Sequence, residues 1–302
     1  MTVFALVGEG MIELSDGGAH GWRVGHGGDI LNMAVHLARF GRRVQLFSAL
    51  GDDPFSTELR DAWTKEGIDP ALVLTATGAT AGLYAVRTDA DGERTFTYWR
   101  SASAARRMFQ LPGTSAAIEA VERADVLVFS LISLAILPTA DREQLIDLAG
   151  RMRRAGKTVV FDGNYRARLW SCADEAGSWR DRAIACCTIG LPTLDDEHGM
   201  GSVGDAAAIA LHWYTLGAAE VVVKLGADGC CVDGAGIVPP PERLQPRDTS
   251  GAGDAFNAAY VHARCAGACI TEAAAAGHRL AGWVVMRPGA LPALDIASPY
   301  RD

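Results

Sequence analysis

The sequence predicts an α/β fold: a mostly parallel sheet flanked by helices on both faces, with a small β appendage. Three observations carry this. Short, nearly continuous apolar runs alternate with amphipathic helical patterns through most of the 302 residues, as in a sheet covered on both faces. The rhythm breaks between 73 and 100, where two alternating runs read as a β-hairpin. At 49% hydrophobic and 21% charged residues, the chain has the apolar material for a full core.

Taken in order, "TVFALVG" reads as the first strand, and a helix from about Asp29 to Phe40 follows. Leu31, Ala34, Val35 and Ala38 share one face of that helix, and Gly41 stops it. "VQLFSALG" is a second strand, followed by a helix from about Pro54 to Glu66. "GLYAVRT" and "RTFTYWR" flank "DADGE", whose Asp91-Gly92 pair is a strong hairpin turn signal. "ADVLVFS", a helix near 139 to 155, "KTVVFDGN", "AIACCTIGL" as a further strand, a helix near 204 to 217 and "EVVVKLG" then restore the alternation. "PPPERLQP", 239 to 246, reads as a stiff loop. In open α/β sheets ligands sit at the carboxyl ends of the strands, so the glycine loops there are the places to search.

The formal net charge of -8 argues against a nucleic-acid or anionic-membrane surface, which needs concentrated basic charge. The segment "MTVFALVGEGMIEL" has no basic flank, and its apolar run is too short for a signal or membrane-spanning segment, so a cytoplasmic location is expected. The seven cysteines form no CxxC pair and read as buried reduced thiols. His262, Cys265 and Cys269 recur at helical spacing, but without a fourth ligand they do not make a metal site.

The stretch that decides the chemistry is "RDTSGAGDAFNAAY", 247 to 260. Gly251, Ala252 and Gly253 free backbone N–H groups ahead of an apolar helix, and a helix start favours an anion such as phosphate. An acid placed next would repel phosphate, so Asp254 needs another task. As a general base it would accept the proton of a substrate hydroxyl attacking phosphorus, kept ionised by the helix N-terminus. The glycine-rich turn would neutralise charge on the transferring phosphoryl. An isolated "GAGD" also suits a helix-cap acid. "GHGGDILNMAVHLARFG" places Gly28 at a helix start and Asn32 one turn in, suited to gripping hydroxyls or a carboxylate. No GxGxxG and no GxxxxGK[ST] occurs, which disfavours a dinucleotide fold and a Walker-type NTPase.

"GGDILNMAVHLARFG" together with "DTSGAGDAF" resembles the two signatures of the ribokinase-like (PfkB) family of carbohydrate kinases. The resemblance implies one ribokinase-like kinase domain over 1 to 302, with a β-sheet lid from about 10 to 26 and 73 to 107. It implies phosphoryl transfer from ATP with Mg2+, Asp254 as base, and Gly251, Ala252 and Gly253 as the anion hole. "GLYAVRTDADGERTFTYWRSASAAR" and "FDGNYRARLW" resemble the sugar-acid branch, the 2-keto-3-deoxygluconate kinases. By that analogy Gly28, Asp29 and Asn32 hold the substrate, Tyr84 and Tyr98 line the lid, and Arg100 and Arg166 meet the carboxylate. A sugar acid needs a cation, and arginine offers a planar fork matched to a carboxylate. Arg100 also reads as outward-facing at a strand end, where solvation or a salt bridge would occupy it.

Nucleotide contacts carried over from the resemblance are Thr193, Lys224, Gly226, Gly229, Gly251, Gly253 and His278, with Asp196 organising magnesium through water. Thr193 and Asp196 depart from the family's commoner NxxE pattern. Gly163 stands where relatives carry proline and should loosen its loop. The resemblance admits a monovalent cation near "RPGALP", 287 to 292, and a homodimer or higher homo-oligomer. Two alternatives stay open: a fructokinase or other ketose kinase, and a catalytically silent sugar or nucleotide sensor on the same fold.

Overall fold

The computed structural model describes residues 2–16, 21–88 and 94–300. In chain order its regular elements are β1 (Val3–Val7), β2 (Met11–Asp16), β3 (Trp22–Gly27), α1 (Asp29–Arg39), β4 (Arg43–Leu50) and α2 (Pro54–Lys65). There follow β5 (Ile68–Asp69), β6 (Val73–Thr75), β7 (Gly82–Thr88), β8 (Arg94–Trp99), α3 (Thr114–Arg123), β9 (Val126–Ser130), α4 (Leu131–Ile136) and α5 (Thr139–Arg154). The chain continues through β10 (Thr158–Asp162), α6 (Ala173–Ile184), β11 (Ile189–Gly190), α7 (Leu194–Gly199), α8 (Ala206–Leu216) and β12 (Glu220–Lys224). It ends with β13 (Cys230–Val232), β14 (Gly236–Val238), α9 (Ala252–Cys265) and α10 (Ile270–Val285).

Why β1 lies inside the sheet is visible in its side chains. Phe4 and Leu6 pack into one apolar cluster with α1, α2, α9 and α10, while Ala5 and Val7 pack into another with α3, α5, α6 and α8. The same alternation divides β9 and β10: Val126, Val128 and Val160 face the first cluster, Leu127, Phe129, Val159 and Phe161 the second. A strand apolar on both faces has to be sandwiched between helices. Among the described residues the large sheet has ten strands, running β14-β13-β12-β11-β10-β9-β1-β4-β5 with β6 also on β4. Pairing is parallel from β12 through β4 and antiparallel at the β12-β13-β14 edge.

A second sheet of four strands, in order β3-β2-β7-β8, forms the lid. Four stretches of chain cross between body and lid: β1 to β2, β3 to α1, β6 to β7, and the exit of β8.

Several expectations need correction. The second lid segment starts at Gly82 rather than 73, because Val73–Thr75 pairs with β4 in the large sheet. It ends before Ala104 and Ala105, which are buried in the body core. "AIACCTIGL" is not a strand throughout: Ala183 and Ile184 close α6, and only Ile189–Gly190 pairs. All seven cysteines are free, but only Cys187 and Cys230 are buried, while Cys172 and Cys269 are exposed. Gly163 is tightly packed rather than loosened, since an added Cβ would come within 3.2 Å of Trp213 and 3.3 Å of Pro192 Cα. The Asp91-Gly92 turn lies outside the described residues.

Candidate active site

Strands β1, β9, β10 and β12 run parallel, so their carboxyl ends open on one edge of the sheet, next to the lid. A cavity of about 630 Å³ is lined there by residues of the lid, of α1, of the loops after β10 and β12, and of the start of α9.

Helix α9 begins at Ala252 because Gly251, with φ +70°, turns the chain into it. An added Cβ at Gly251 would come within 2.6 Å of the Ala290 Cβ, so the close approach and the left-handed backbone both require glycine. In the first turn that follows, the N–H groups of Gly253 and Asp254 have no intrahelical acceptor and remain available to an anion. A Cβ built at Gly253 would lie 3.9 Å from the Lys224 ammonium, so the turn and a cation flank one space.

Asp254 accepts a hydrogen bond from Asn32 Nδ2 at 2.8 Å. Burial pushes its pKa up to about 7, and the neighbouring carboxylates of Asp29 and Asp162 push the same way against Asn32 and Lys224. The expectation that the helix N-terminus keeps this carboxylate ionised is thereby corrected. Desolvation and two like charges outweigh a partial dipole charge, and the group is poised near neutrality. Asp29 is itself raised by burial; it accepts from Ser130 Oγ at 2.5 Å and from Asn164 Nδ2 at 3.4 Å. Lys224 is engaged with Asp162 Oδ1 at 2.9 Å and Asn257 Oδ1 at 3.1 Å. One ammonium thus pairs with Asp162 and offsets part of the carboxylate charge that acts on Asp254.

On the lid, Tyr84 donates its hydroxyl to the Glu13 carboxylate, and burial beside that acid holds the phenol well above its ordinary pKa. Gly27 makes room for this ring, since a Cβ there would come within 2.1 Å of the Tyr84 hydroxyl. The Tyr98 ring lies 5.6 Å from Tyr84, and the Arg168 guanidinium sits 3.8 Å from the Tyr98 centroid. Arg100 is not outward-facing: it is 8% exposed and ion-paired with the buried Glu9. The Arg166 side chain is 45% exposed and contacts Asp196 at 3.3 Å. Burial raises the Asp196 pKa, and Arg166 opposes that shift.

The structure brings Gly28, Asp29, Asn32, Tyr84, Tyr98, Arg100, Arg166, Thr193, Asp196, Lys224, Gly226, Gly251, Ala252, Gly253 and Asp254 to the same cavity. Asn32 steadies Asp254 rather than standing free for a ligand, although its Oδ1 is buried without a partner, as is Asn164 Oδ1. Those two acceptors suit the hydroxyls of a polar ligand. Two expected residues are elsewhere. Gly229 is held by packing, its added Cβ coming within 2.2 Å of the Val238 carbonyl oxygen. His278 is a packed histidine, with Nε2 3.0 Å from that same oxygen and 3.5 Å from Cys230 Sγ. Sequence reasoning gave no role to Glu13, Asp162, Asn164 or Arg168, which line the cavity. Asp162 and Asn164 stand at the carboxyl end of β10, where the strand-end rule applied to the glycine loops would have found them.

Comparison with known proteins agrees with this geometry. A family model described as pfkB family carbohydrate kinase matches residues 6–297. The chain is 39% identical to a 2-dehydro-3-deoxygluconokinase of Escherichia coli K12, covering 95% of this chain and 96% of the relative. It is 38% identical to the 2-dehydro-3-deoxygluconokinase of Dickeya dadantii, covering 96% and 97%. Among solved structures, 2-dehydro-3-deoxygluconokinase from Thermotoga maritima superposes with a TM-score of 0.88 at 20% identity, over 99% of this chain and 98% of that one, a likeness of fold.

Proposed function

The chain belongs to the pfkB family of carbohydrate kinases, and from that premise we propose that it transfers the γ-phosphoryl group of ATP to the terminal primary hydroxyl of 2-keto-3-deoxygluconate, also called 2-dehydro-3-deoxygluconate. The observation that carries the reading is the meeting, in one cavity, of a neutrally poised Asp254 beside the GAG turn with Arg100, Arg166 and Arg168.

Bound ATP supplies the phosphoryl group, and bound Mg2+ neutralises charge on its oxygens. The cavity suits that nucleotide: the open first turn of α9, Lys224, and Gly226, whose Cβ position meets nothing within 4 Å, all line it and can face a polyphosphate. Asp196 and Asp195 line the same cavity and would hold the metal through water. Asp254 takes the proton of the attacking hydroxyl, with Asn32 fixing the carboxylate's direction. The backbone N–H groups of Gly253 and Asp254 stabilise the charge that grows on the transferring group, while that of Ala252 is turned back to the Thr249 carbonyl oxygen at 3.3 Å. Tyr84, Tyr98 and Glu13 cover the sugar from the lid and exclude water. Arg166 and Arg100, which line the same cavity, meet the sugar carboxylate.

Residues 1–302 then act as one kinase domain in the cytoplasm, where ATP is available. Exposed Trp22, Val24 and Trp99 on the lid support assembly as a homodimer. No helix among the described residues is long and apolar enough to cross a membrane.

The test is ADP release with ATP and Mg2+ against 2-keto-3-deoxygluconate, fructose, ribose, gluconate and adenosine in parallel. Clear preference for the keto-deoxy acid is the expected result. Preference for fructose would leave Asp254 its role and reassign the arginines to structure. ATP binding without turnover of any of them would leave a silent sensor.

A further inference from the structure

The mechanism leaves one deeply buried acid without a task. Glu9 is 2% exposed and follows β1, where the chain first leaves the large sheet for the lid. Its partner Arg100 follows β8, where the chain last returns. The other two crossings press on the same residue. A Cβ at Gly28, between β3 and α1, would come within 2.5 Å of the Glu9 carbonyl oxygen, and one at Gly82, the first residue of β7, within 2.6 Å of Glu9 Oε1. Gly10 is held as closely from behind, its Cβ position lying 2.4 Å from Trp63. Gly82 therefore keeps clear the space the carboxylate occupies, and Gly28 packs on the Glu9 backbone, so that all four crossings meet at this residue.

A buried ion pair is a poor source of net stability, because desolvating two charges offsets their attraction. Its retention at this junction asks for another reason. The guanidinium has five donors in a fixed fork. One terminal nitrogen, Nη2, meets Glu9 Oε2, Arg100 Nε is buried without a hydrogen-bond partner, and Arg100 lines the cavity. A second carboxylate can therefore be met by a fork whose direction the first has already set.

We propose that Glu9 is a positioning residue for recognition of the acid substrate: it fixes the Arg100 guanidinium at the junction of body and lid, so that the fork's unused donors face the substrate carboxylate. This rests on the sugar-acid reading above. Glu9 acts through Arg100 and touches no reacting atom.

The test is steady-state kinetics on the full-length protein with 2-keto-3-deoxygluconate, fructose and ATP, comparing wild type, Glu9→Gln, Glu9→Asp, Arg100→Met and the double variant Glu9→Gln/Arg100→Met. Glu9→Gln should raise KM for the acid about tenfold while kcat stays within about threefold and KM for ATP is unchanged. In the Arg100→Met background the same replacement should shift KM by less than about twofold, because its partner is already gone. Glu9→Asp, which keeps the charge, should recover part of the loss. An equal rise in KM for the acid in both backgrounds, or parallel rises for ATP and fructose, is what a merely structural role gives and would overturn the inference. The wild-type preference for acid over fructose reports on the sugar-acid reading, and the double-variant comparison reports on Glu9. An acid-preferring wild type with additive losses sinks this inference alone; a fructose-preferring wild type sinks both.

Discussion

Replacing Asp254 by asparagine separates catalysis from folding in opposite directions. The substitution keeps the shape and an oxygen that Asn32 Nδ2 can reach, and removes the group that takes the proton. Turnover should fall by about 100- to 10,000-fold, the usual contribution of a positioned base, with KM for ATP little changed. Stability should rise. In the fold the pKa climbs from 3.8 to about 7, so the protonated carboxyl is the favoured form. The stability this contributes is fully present below the unfolded pKa and is lost as pH rises through about 7. Every tenfold gain in the carboxyl's hold on its proton corresponds to about 1.4 kcal/mol. Cavity water screens part of that, which leaves roughly 2 to 4 kcal/mol against the wild type at pH 8. A neutral amide does not lose it. Asp254→Asn should therefore melt higher than wild type at pH 8, the gap shrinking steadily below pH 7 and closing near pH 4. Denaturant unfolding across that range, alongside coupled ADP release, reads both quantities. Retained turnover, or a variant less stable than wild type at pH 8, would refute the reasoning and return Asp254 to an ordinary ionised cap.

Further outcomes follow from the same geometry. Below about pH 7, wild-type kcat/KM should fall tenfold per pH unit as Asp254 becomes protonated; a flat profile to pH 5 would contradict this. Lys224→Met removes the ammonium that neutralises Asp162 and lowers the Asp254 pKa, so that limb should move to higher pH in the same profile. An unmoved limb would deny the coupling. Arg166→Ala should raise KM for the sugar acid about tenfold and leave KM for ATP alone, whereas equal loss for both ligands would point to a folding defect. Gly251→Ala forces a side chain onto a φ of +70° and against Ala290. It should destabilise by about 1 to 3 kcal/mol and depress kcat; normal kcat would remove this turn from catalysis.

What was legible in the sequence was local. The start of α9 and the start of α1 could be read because glycines, an acid and an apolar helix lie within a few residues of each other, and both reach the cavity. The sheet could be read because its strands are apolar on both faces. Gly229 and His278 misled because a glycine after a strand and a histidine on a helix look the same whether they face a ligand or pack against Val238. The pKa of Asp254 was hidden because Asp29 and Asp162 come from distant segments that only the fold brings near. Glu9 and Arg100 are 91 residues apart in the chain, and no short-range pattern joins them. "AIACCTIGL" reads as a strand by composition, yet its first residues finish a helix and only two residues find a neighbour to pair with.

Everything proposed for the cavity serves one transfer, from ATP to the terminal hydroxyl of a sugar acid, and the product itself tests it most directly. Two-dimensional phosphorus–proton NMR of the product formed from 2-keto-3-deoxygluconate, ATP and Mg2+ should show the new phosphorus coupled to the methylene protons of the terminal carbon. Phosphorus coupled to any other position, or inorganic phosphate with the sugar acid unchanged, would contradict the placement of Asp254 beside that hydroxyl.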